Sequence, residues 1–313
     1  TIDNKNGAIR VMLGGKNYRR SQFNRALSTN RMIGSSFKPF IYLTAMQKLN
    51  FHPGTVLIDE PTVFKLPYNK KWEPANFNDE YMGPVVLKKA FSKSLNIVSA
   101  KLIFKTTPTE VVKTARKFGF NNSLTKNFSL SLGAIGASTF ELAAAYSVIA
   151  NLGAFKSPFY VSKIEDYQGN ILYEHFVEEE KRFEPIDIYP LLDMMKGVMD
   201  DGSGRVIRRM GFKHPAGGKT GTTNDYRDAW FTGFTPDLTT SVWVGYDDNE
   251  SMLRPNNKGV TGAHAAAPIW SLIMTEALDK GDNRDFPIPR EIRFEYANNS
   301  DGFYEPKNTP NTV

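Results

Sequence analysis

The 313-residue chain contains no cysteine. Disulfides, thiol nucleophiles and zinc–thiolate sites are therefore excluded, and an oxidising compartment is allowed without being demanded. No apolar run reaches the length of about 18 residues that a membrane-spanning helix needs. No block of Lys and Arg interleaves with aromatic residues. The 39 basic and 33 acidic side chains leave a net charge of +6 spread along the sequence, which reads as solvated surface and argues against a nucleic-acid partner. Metal-ligand spacing and a glycine-rich phosphate loop are also missing, so neither a metal nor a cofactor is expected. The four histidines (His52, His175, His214, His264) are scattered, and none pairs with a serine and an acid as a Ser-His-Asp enzyme requires. Residue 1 is Thr, and no signal peptide precedes the first strand-like segment, so the chain reads as a piece of a longer protein.

What is present is the composition of a soluble globular protein, with 41% apolar and 23% charged residues and enough length for a sizeable core. Thr1–Asp3 is too short to count as a strand, whereas Asn6-Gly7 followed by alternating Ala8–Leu13 predicts half of a hairpin. The stretch 51–83, rich in Pro, Asn and aromatic residues, reads as a long ordered excursion of the kind that lines clefts. Helices are predicted over 85–91, 97–104, 108–118, 139–152 and 186–198, with Gly119 and Gly153 as stops. Residues 160–165 and 171–174 flank Gln168-Gly169-Asn170 as a hairpin. Residues 217–223, 228–235 and 239–246 then alternate as an antiparallel meander. A last helix over 267–278 offers Ile269, Leu272, Ile273 and Met274 to the core. Beyond Asp282 the chain is polar and Pro-rich, and only 292–296 looks ordered. A hairpin at the start, helices in the middle and a meander near the end predict an α+β fold, with an antiparallel sheet from both chain ends and helices packed on it.

The chemistry concentrates at Gly34-Ser35-Ser36-Phe37-Lys38-Pro39-Phe40. Ser35 and Lys38, three apart, share a helix face. Pro39 fits only a first turn, and the apolar run Ile41–Met46 predicts a buried helix. A serine at a helix start is ordinarily only a cap. Here it is paired with a lysine inside a core, where burial disfavours the ammonium, and that pairing suits a nucleophile and its base. A second S-x-x-K, Ser123-Leu124-Thr125-Lys126, lies in a polar stretch with no buried helix to hold it and reads as chance. S-x-N occurs at Ser28-Thr29-Asn30 and Ser94-Leu95-Asn96, and K-T-G once, at Lys219-Thr220-Gly221 on a predicted strand. Only Ser35–Lys38, Ser94–Asn96 and Lys219–Gly221 run in the order S-x-x-K, S-x-N, K-T-G at domain-sized spacing. That set is associated with β-lactamases and penicillin-binding proteins.

With these motifs stand Gly14-Gly15, Ser21–Ala26, Glu141–Tyr146, Gly218–Asp225 and Asp228–Gly233. The whole resembles the transpeptidase domain of class A, bifunctional penicillin-binding proteins over nearly all of residues 1–280. One departure is Met32-Ile33, where the family commonly has Gln-Pro, which bears on the approach to the nucleophile. The resemblance implies a penicillin-binding protein/serine β-lactamase-like fold, with a transpeptidase domain over 1–281 and a partly ordered tail over 282–313. It implies that Ser35 attacks the carbonyl between two D-alanines of a peptidoglycan stem peptide, with Lys38 taking the hydroxyl proton. Ser94 would relay a proton to the leaving amine, Lys219 would supply a positive field, and Asn96 would bind the substrate amide. Thr220 and Thr222 would bind the terminal carboxylate, Gly221 would admit the substrate as an added strand, and the Ser35 and Thr222 N–H groups would form an oxyanion hole. Transfer to a neighbouring stem makes a cross-link, with D,D-carboxypeptidase trimming as a side activity, and β-lactams acylate the same serine. The family also implies an upstream glycosyltransferase domain and membrane anchor outside this sequence, and a location on the outer face of the cytoplasmic membrane. A serine β-lactamase and a non-catalytic β-lactam sensor are the competing readings. No Glu-x-x-Leu-Asn falls between Ser94 and Lys219, which counts against a class A β-lactamase.

Overall fold

A computed structural model describes residues 1–66, 68–120, 124–255, 257–278, 281, 283–295 and 298. Four strands form the main sheet: β1 (Ile2–Asp3) from the chain start, and β2 (Gly217–Thr222), β3 (Asp228–Phe234) and β4 (Leu238–Gly245) from the meander. The order is β1-β4-β3-β2, all antiparallel, with Ile2 opposite Thr239 and Lys219 opposite Thr232. The α+β sheet from both chain ends is thus present, with β2 and its K-T-G at one edge.

The strand period of two sorts β3 between two cores. Trp230 and Phe234 face the larger one, where Phe234 meets Tyr146 of helix 139–150 edge-to-face at 6.5 Å. Phe231 faces the smaller one and meets Trp270 of helix 266–277 at 5.3 Å. The helices that place the site are α1 (Lys38–Leu49), α2 (Leu87–Lys93), α3 (Asn96–Thr106), α4 (Pro108–Lys117), α5 (Thr139–Ala150), α6 (Pro185–Asp200) and α7 (Ala266–Ala277). A single turn of 3-10 helix, Gly34–Phe37, leads into α1 with Pro39 in the first turn, and residues 38–45 are buried all round. α5 starts at a full capping box, Ser138 with Glu141. No helix among the described residues is long and apolar enough to cross a membrane.

Several expectations are corrected. Ile2–Asp3 is a strand after all, because Ile2 is buried and pairs with β4. Residues 8–13 make only isolated bridges, at Ala8 and Ile9, while the Arg10 and Val11 N–H groups turn back onto the Thr1 carbonyl. The excursion 51–83 is ordered by short ladders, Val56–Asp59 with Gly83–Val86 and Phe64–Lys65 with Lys71–Trp72. On α7 the buried positions are Ala266, Ala267, Trp270, Ser271 and Met274, and Ile269 and Leu272 are exposed. The indole of Trp270, which the apolar count overlooked, sets which face turns inward. In the 292–296 segment no strand forms among the described residues. Ile292 packs on the core, Phe294 meets Tyr189 edge-to-face, and Tyr296 lies outside the described residues.

Candidate active site

Two glycines bring the S-x-x-K turn against the K-T-G strand. Gly34 has φ +53°, a left-handed conformation that suits glycine, and a Cβ there would lie 2.6 Å from the Thr222 carbonyl oxygen. From the other side, a Cβ on Gly221 would lie 2.4 Å from the Ile33 carbonyl oxygen and 2.5 Å from Ser36 Oγ. Side chains at either position would push Ser35 away from β2. The bare face of Gly221 therefore admits the turn that carries Ser35, a requirement separate from any bound strand. Met32-Ile33 is anchored in the same region. The Met32 carbonyl accepts the Trp230 indole N–H at 2.9 Å, and Ile33 is fully buried.

The S-x-N motif enters through a strained joint. Ser94 caps the C-terminus of α2 with φ +61°, an unusual conformation for a residue with a Cβ. Its N–H bonds the Phe91 carbonyl at 2.9 Å, and its own carbonyl turns toward α1. α3 begins two residues later, with Asn96 as its first helical residue.

These pieces converge on two lysines, both fully buried. Lys38 Nζ donates to the Ser94 carbonyl at 2.6 Å and to Asn96 Oδ1 at 2.8 Å, and lies 3.2 Å from Ser94 Oγ. Lys219 Nζ donates to Ser94 Oγ at 2.9 Å and to the Thr220 carbonyl at 3.2 Å. Neither lysine has a carboxylate within 4 Å among the described residues. Burial, and then the charge of Lys219, holds Lys38 well below the ordinary lysine range, while Asp59 opposes the shift. Burial alone lowers Lys219 to about 7. Both amines therefore give up their protons more readily than an exposed lysine does. A neutral Lys38 amine has two N–H donors and one lone pair. Its partners are the Ser94 carbonyl, Asn96 Oδ1, Ser94 Oγ and, at 3.3 Å, the Leu95 carbonyl; donating to two of them, the neutral form would keep its lone pair for a hydroxyl proton.

The rest of the pocket is set for an anion. Thr222 Oγ1 accepts the Gly262 N–H at 3.1 Å, so its own proton is free to donate. Thr220 Oγ1 lies 2.7 Å from Ser203 Oγ, and with Ser203 donating, Thr220 also turns its proton outward. Ser203 went unnoticed in the sequence. Its N–H bonds the Ser92 carbonyl at 2.9 Å, which ties α2 to β2. Phe77 of the excursion and Tyr226 of the β2–β3 turn also meet, edge-to-face at 5.8 Å. A Phe–Tyr pair remote in sequence carries no local signal. Of the predicted residues, Lys38, Ser94, Asn96 and Lys219 share one hydrogen-bonded cluster. Ser35, half-buried, lies in the 3-10 turn that runs directly into Lys38, and Thr220, Gly221 and Thr222 belong to the edge strand β2. Lys126 lies in a stretch without helix or strand, and Ser123 is outside the described residues. Among the described residues no cluster of three His, Asp or Glu could hold a metal.

An S-x-x-K turn at a buried helix, with S-x-N and an edge-strand K-T-G brought onto it, defines a serine acyl-transfer protein of the penicillin-recognising class. The model of the penicillin binding protein transpeptidase domain matches residues 1–275, and the chain belongs to that family. It is 36% identical over 291 residues to penicillin-binding protein 1A of Aquifex aeolicus, covering 93% of this chain and 39% of that protein. It is 34% identical to penicillin-binding protein 1A of Pseudomonas aeruginosa, covering 89% and 39%. The crystal structure of penicillin-binding protein 1A from Haemophilus influenzae superposes with a TM-score of 0.91 at 28% identity, over 98% of this chain and 51% of that one. The PonA1 protein of Mycobacterium tuberculosis, solved in complex with penicillin V, gives 0.80 at 25% identity, over 93% and 80%. The chain thus spans about two fifths of the length of the curated relatives it matches.

Proposed function

We propose that this domain is a D,D-transpeptidase that cross-links peptidoglycan stem peptides through an acyl-enzyme on Ser35. The observation that carries the reading is the pair of buried lysine amines on one serine hydroxyl, 2.9 and 3.2 Å from Ser94 Oγ, beneath the turn that bears Ser35. Ser35 Oγ attacks the carbonyl carbon of the penultimate D-alanine, and its proton passes to the Lys38 lone pair. The tetrahedral oxyanion is met by the Ser35 and Thr222 N–H groups, neighbours because Gly34 lies against the Thr222 peptide. As the C–N bond breaks, Ser94 delivers its proton to the departing D-alanine amine and takes in its place the one that Lys38, 3.2 Å away, received from Ser35, with Lys219 beside its hydroxyl. Thr220 and Thr222 bind the terminal carboxylate. Asn96 has Oδ1 on Lys38 and one Nδ2 proton on the Ala75 carbonyl at 2.9 Å, which leaves its second proton for the substrate amide. The edge strand β2 accepts the substrate in strand pairing, alongside Gly221. An amine of a second stem then takes the acyl group, or water does so in D,D-carboxypeptidase trimming.

A β-lactam presents its strained amide to the same serine. The relatives' greater length supports an upstream glycosyltransferase domain and membrane anchor, with this domain over 1–281 on the outer face of the cytoplasmic membrane. Incubation with a fluorescent penicillin, followed by peptide mapping, tests the reading. We expect a persistent adduct on the Ser35 peptide that Ser35→Ala abolishes. An adduct elsewhere, full labelling of Ser35→Ala, or rapid release of hydrolysed penicillin would overturn it.

A further inference from the structure

Helix α3 carries Asn96 but lacks a cap of its own. Its N-cap is Leu95, which offers no side-chain acceptor to the free N–H groups of the first turn. The missing acceptor comes from the excursion. Asn76 Oδ1 accepts the N–H of Asn96 at 2.8 Å and of Ile97 at 3.2 Å. Asn76 Nδ2 in turn donates to both carboxylate oxygens of Asp59, at 2.9 and 3.0 Å, and to the Glu80 carbonyl at 2.9 Å. Asp59 ends the strand Val56–Asp59 and is fully buried. Its other donor among the described residues is the Met82 N–H, at 2.9 Å, and none of the described Lys or Arg side chains lies within ion-pair reach of it. A buried carboxylate without a cation is costly, and the acyl-transfer steps described above do not use it.

We propose that Asp59 is a positioning residue for acyl transfer, acting through the Asn76 amide to fix the first turn of α3 and with it the Asn96 side chain that holds Lys38. The link runs in one direction of donors. Asp59 can only accept, so Asn76 must present its NH2 group to it. The Asn76 oxygen is then turned to the helix start, where an N–H needs it. Asn96 in turn keeps Oδ1 on Lys38. Charge adds to geometry, because Asp59 raises the proton affinity of Lys38 against burial and against Lys219. Among the described residues the groups bearing on Lys38 are Lys219 from β2 and Asp59. Tyr42, one turn along α1, is buried, and its phenol is raised above the ordinary range.

The inference rests on Ser35 acylation, so wild-type protein is the first arm of the test, and failure of wild type to form the Ser35 adduct overturns the proposed function itself. Given that adduct, Asp59→Asn places an NH2 group against the Asn76 or Met82 donors. Its rate constant for acylation by a fluorescent penicillin is expected to fall by about tenfold to a hundredfold. The acid limb of its pH–rate profile should move to lower pH, because a charge that favours protonated Lys38 is gone. The exchange variant Asp59→Asn/Asn76→Asp restores a donor–acceptor pair between the two positions and an acceptor for the α3 N–H groups, leaves the Glu80 carbonyl without its donor, and returns a carboxylate. It should recover much of the rate and move the acid limb back. A purely structural role would lower the melting temperature and the labelled fraction while leaving the pH profile in place. If Asp59→Asn cannot be recovered folded, Asn76→Ser, which breaks the bridge and leaves the Asp59 charge, tests the rate: it should show the same fall in acylation with the acid limb in place. Acylation within about twofold of wild type by a folded single variant, with an unmoved acid limb where that variant is Asp59→Asn, overturns the proposal, since misplacement in a reacting geometry costs far more.

Discussion

Lysines at the cleft floor and at the rim of this molecule live under opposite rules. Lys181 and Glu184 pair at 2.6 Å with both side chains more than half exposed, and water screens what they gain. Lys38 and Lys219 are fully buried around a single hydroxyl, with carbonyls and an amide as partners in place of carboxylates. At the rim the charge is permanent and contributes little. At the floor, burial turns proton affinity into a variable, and the two lysines respond unequally because one feels the other's charge. The comparison teaches that the site is built by withholding counter-charge, at some cost to the fold.

The sharpest way to break that comparison is Lys38→Met, which keeps the length and removes the amine. Acylation by penicillin should fall by about 10²- to 10⁴-fold, the range for a lost general base. The melting temperature should hold or rise, since a buried amine is gone. Ser94→Gly comes next. Glycine adopts the φ +61° joint without strain, so the melting temperature should be kept or raised while acylation drops by about a hundredfold, within the range for a lost proton relay. A loss of stability matching the loss of rate would mean that Ser94 serves the turn alone.

Stability against pH probes Lys219. Its folded value of about 7 lies below that of an exposed lysine. Between the two values the unfolded chain binds more protons, so stability rises with pH across that window by about 1.4 kcal/mol per unit from this group. Lys219→Met should therefore stabilise most at and below pH 7 relative to wild type, and the gain should shrink toward pH 10.5; melting curves of the two proteins across that range check it. The smallest effect belongs to the rim. Lys181→Ala should shift the melting temperature by no more than about 2 °C and leave acylation unchanged.

Much of this was legible in the sequence, where the reasons are local. Pro39 and the apolar run after it mark α1, Ser138 and Glu141 open α5, and alternation marks β2, β3 and β4. The motif order gathered Ser35, Lys38, Ser94, Asn96 and Lys219 before any coordinates. The supports were hidden for a common reason. Ser94 occupies a left-handed cap where a glycine would have announced the turn. The cap of α3 comes from Asn76, twenty residues upstream, and no local pattern assigns it. Ser203 reaches Thr220 from a turn, and Gly221 is bare to admit a neighbouring turn. These are contacts between distant segments, and a single sequence carries no periodicity for them.

Burial of Lys38 and Lys219 around Ser94 should set both amines to lose their protons below the ordinary lysine range. Nitrogen-15 NMR of lysine side chains, assigned by Lys38→Arg and Lys219→Arg and followed from pH 5 to 11, measures it directly. Both resonances should titrate below the range of the exposed lysines, Lys219 near pH 7. A Lys38 signal that stays ammonium-like above pH 9 would contradict it.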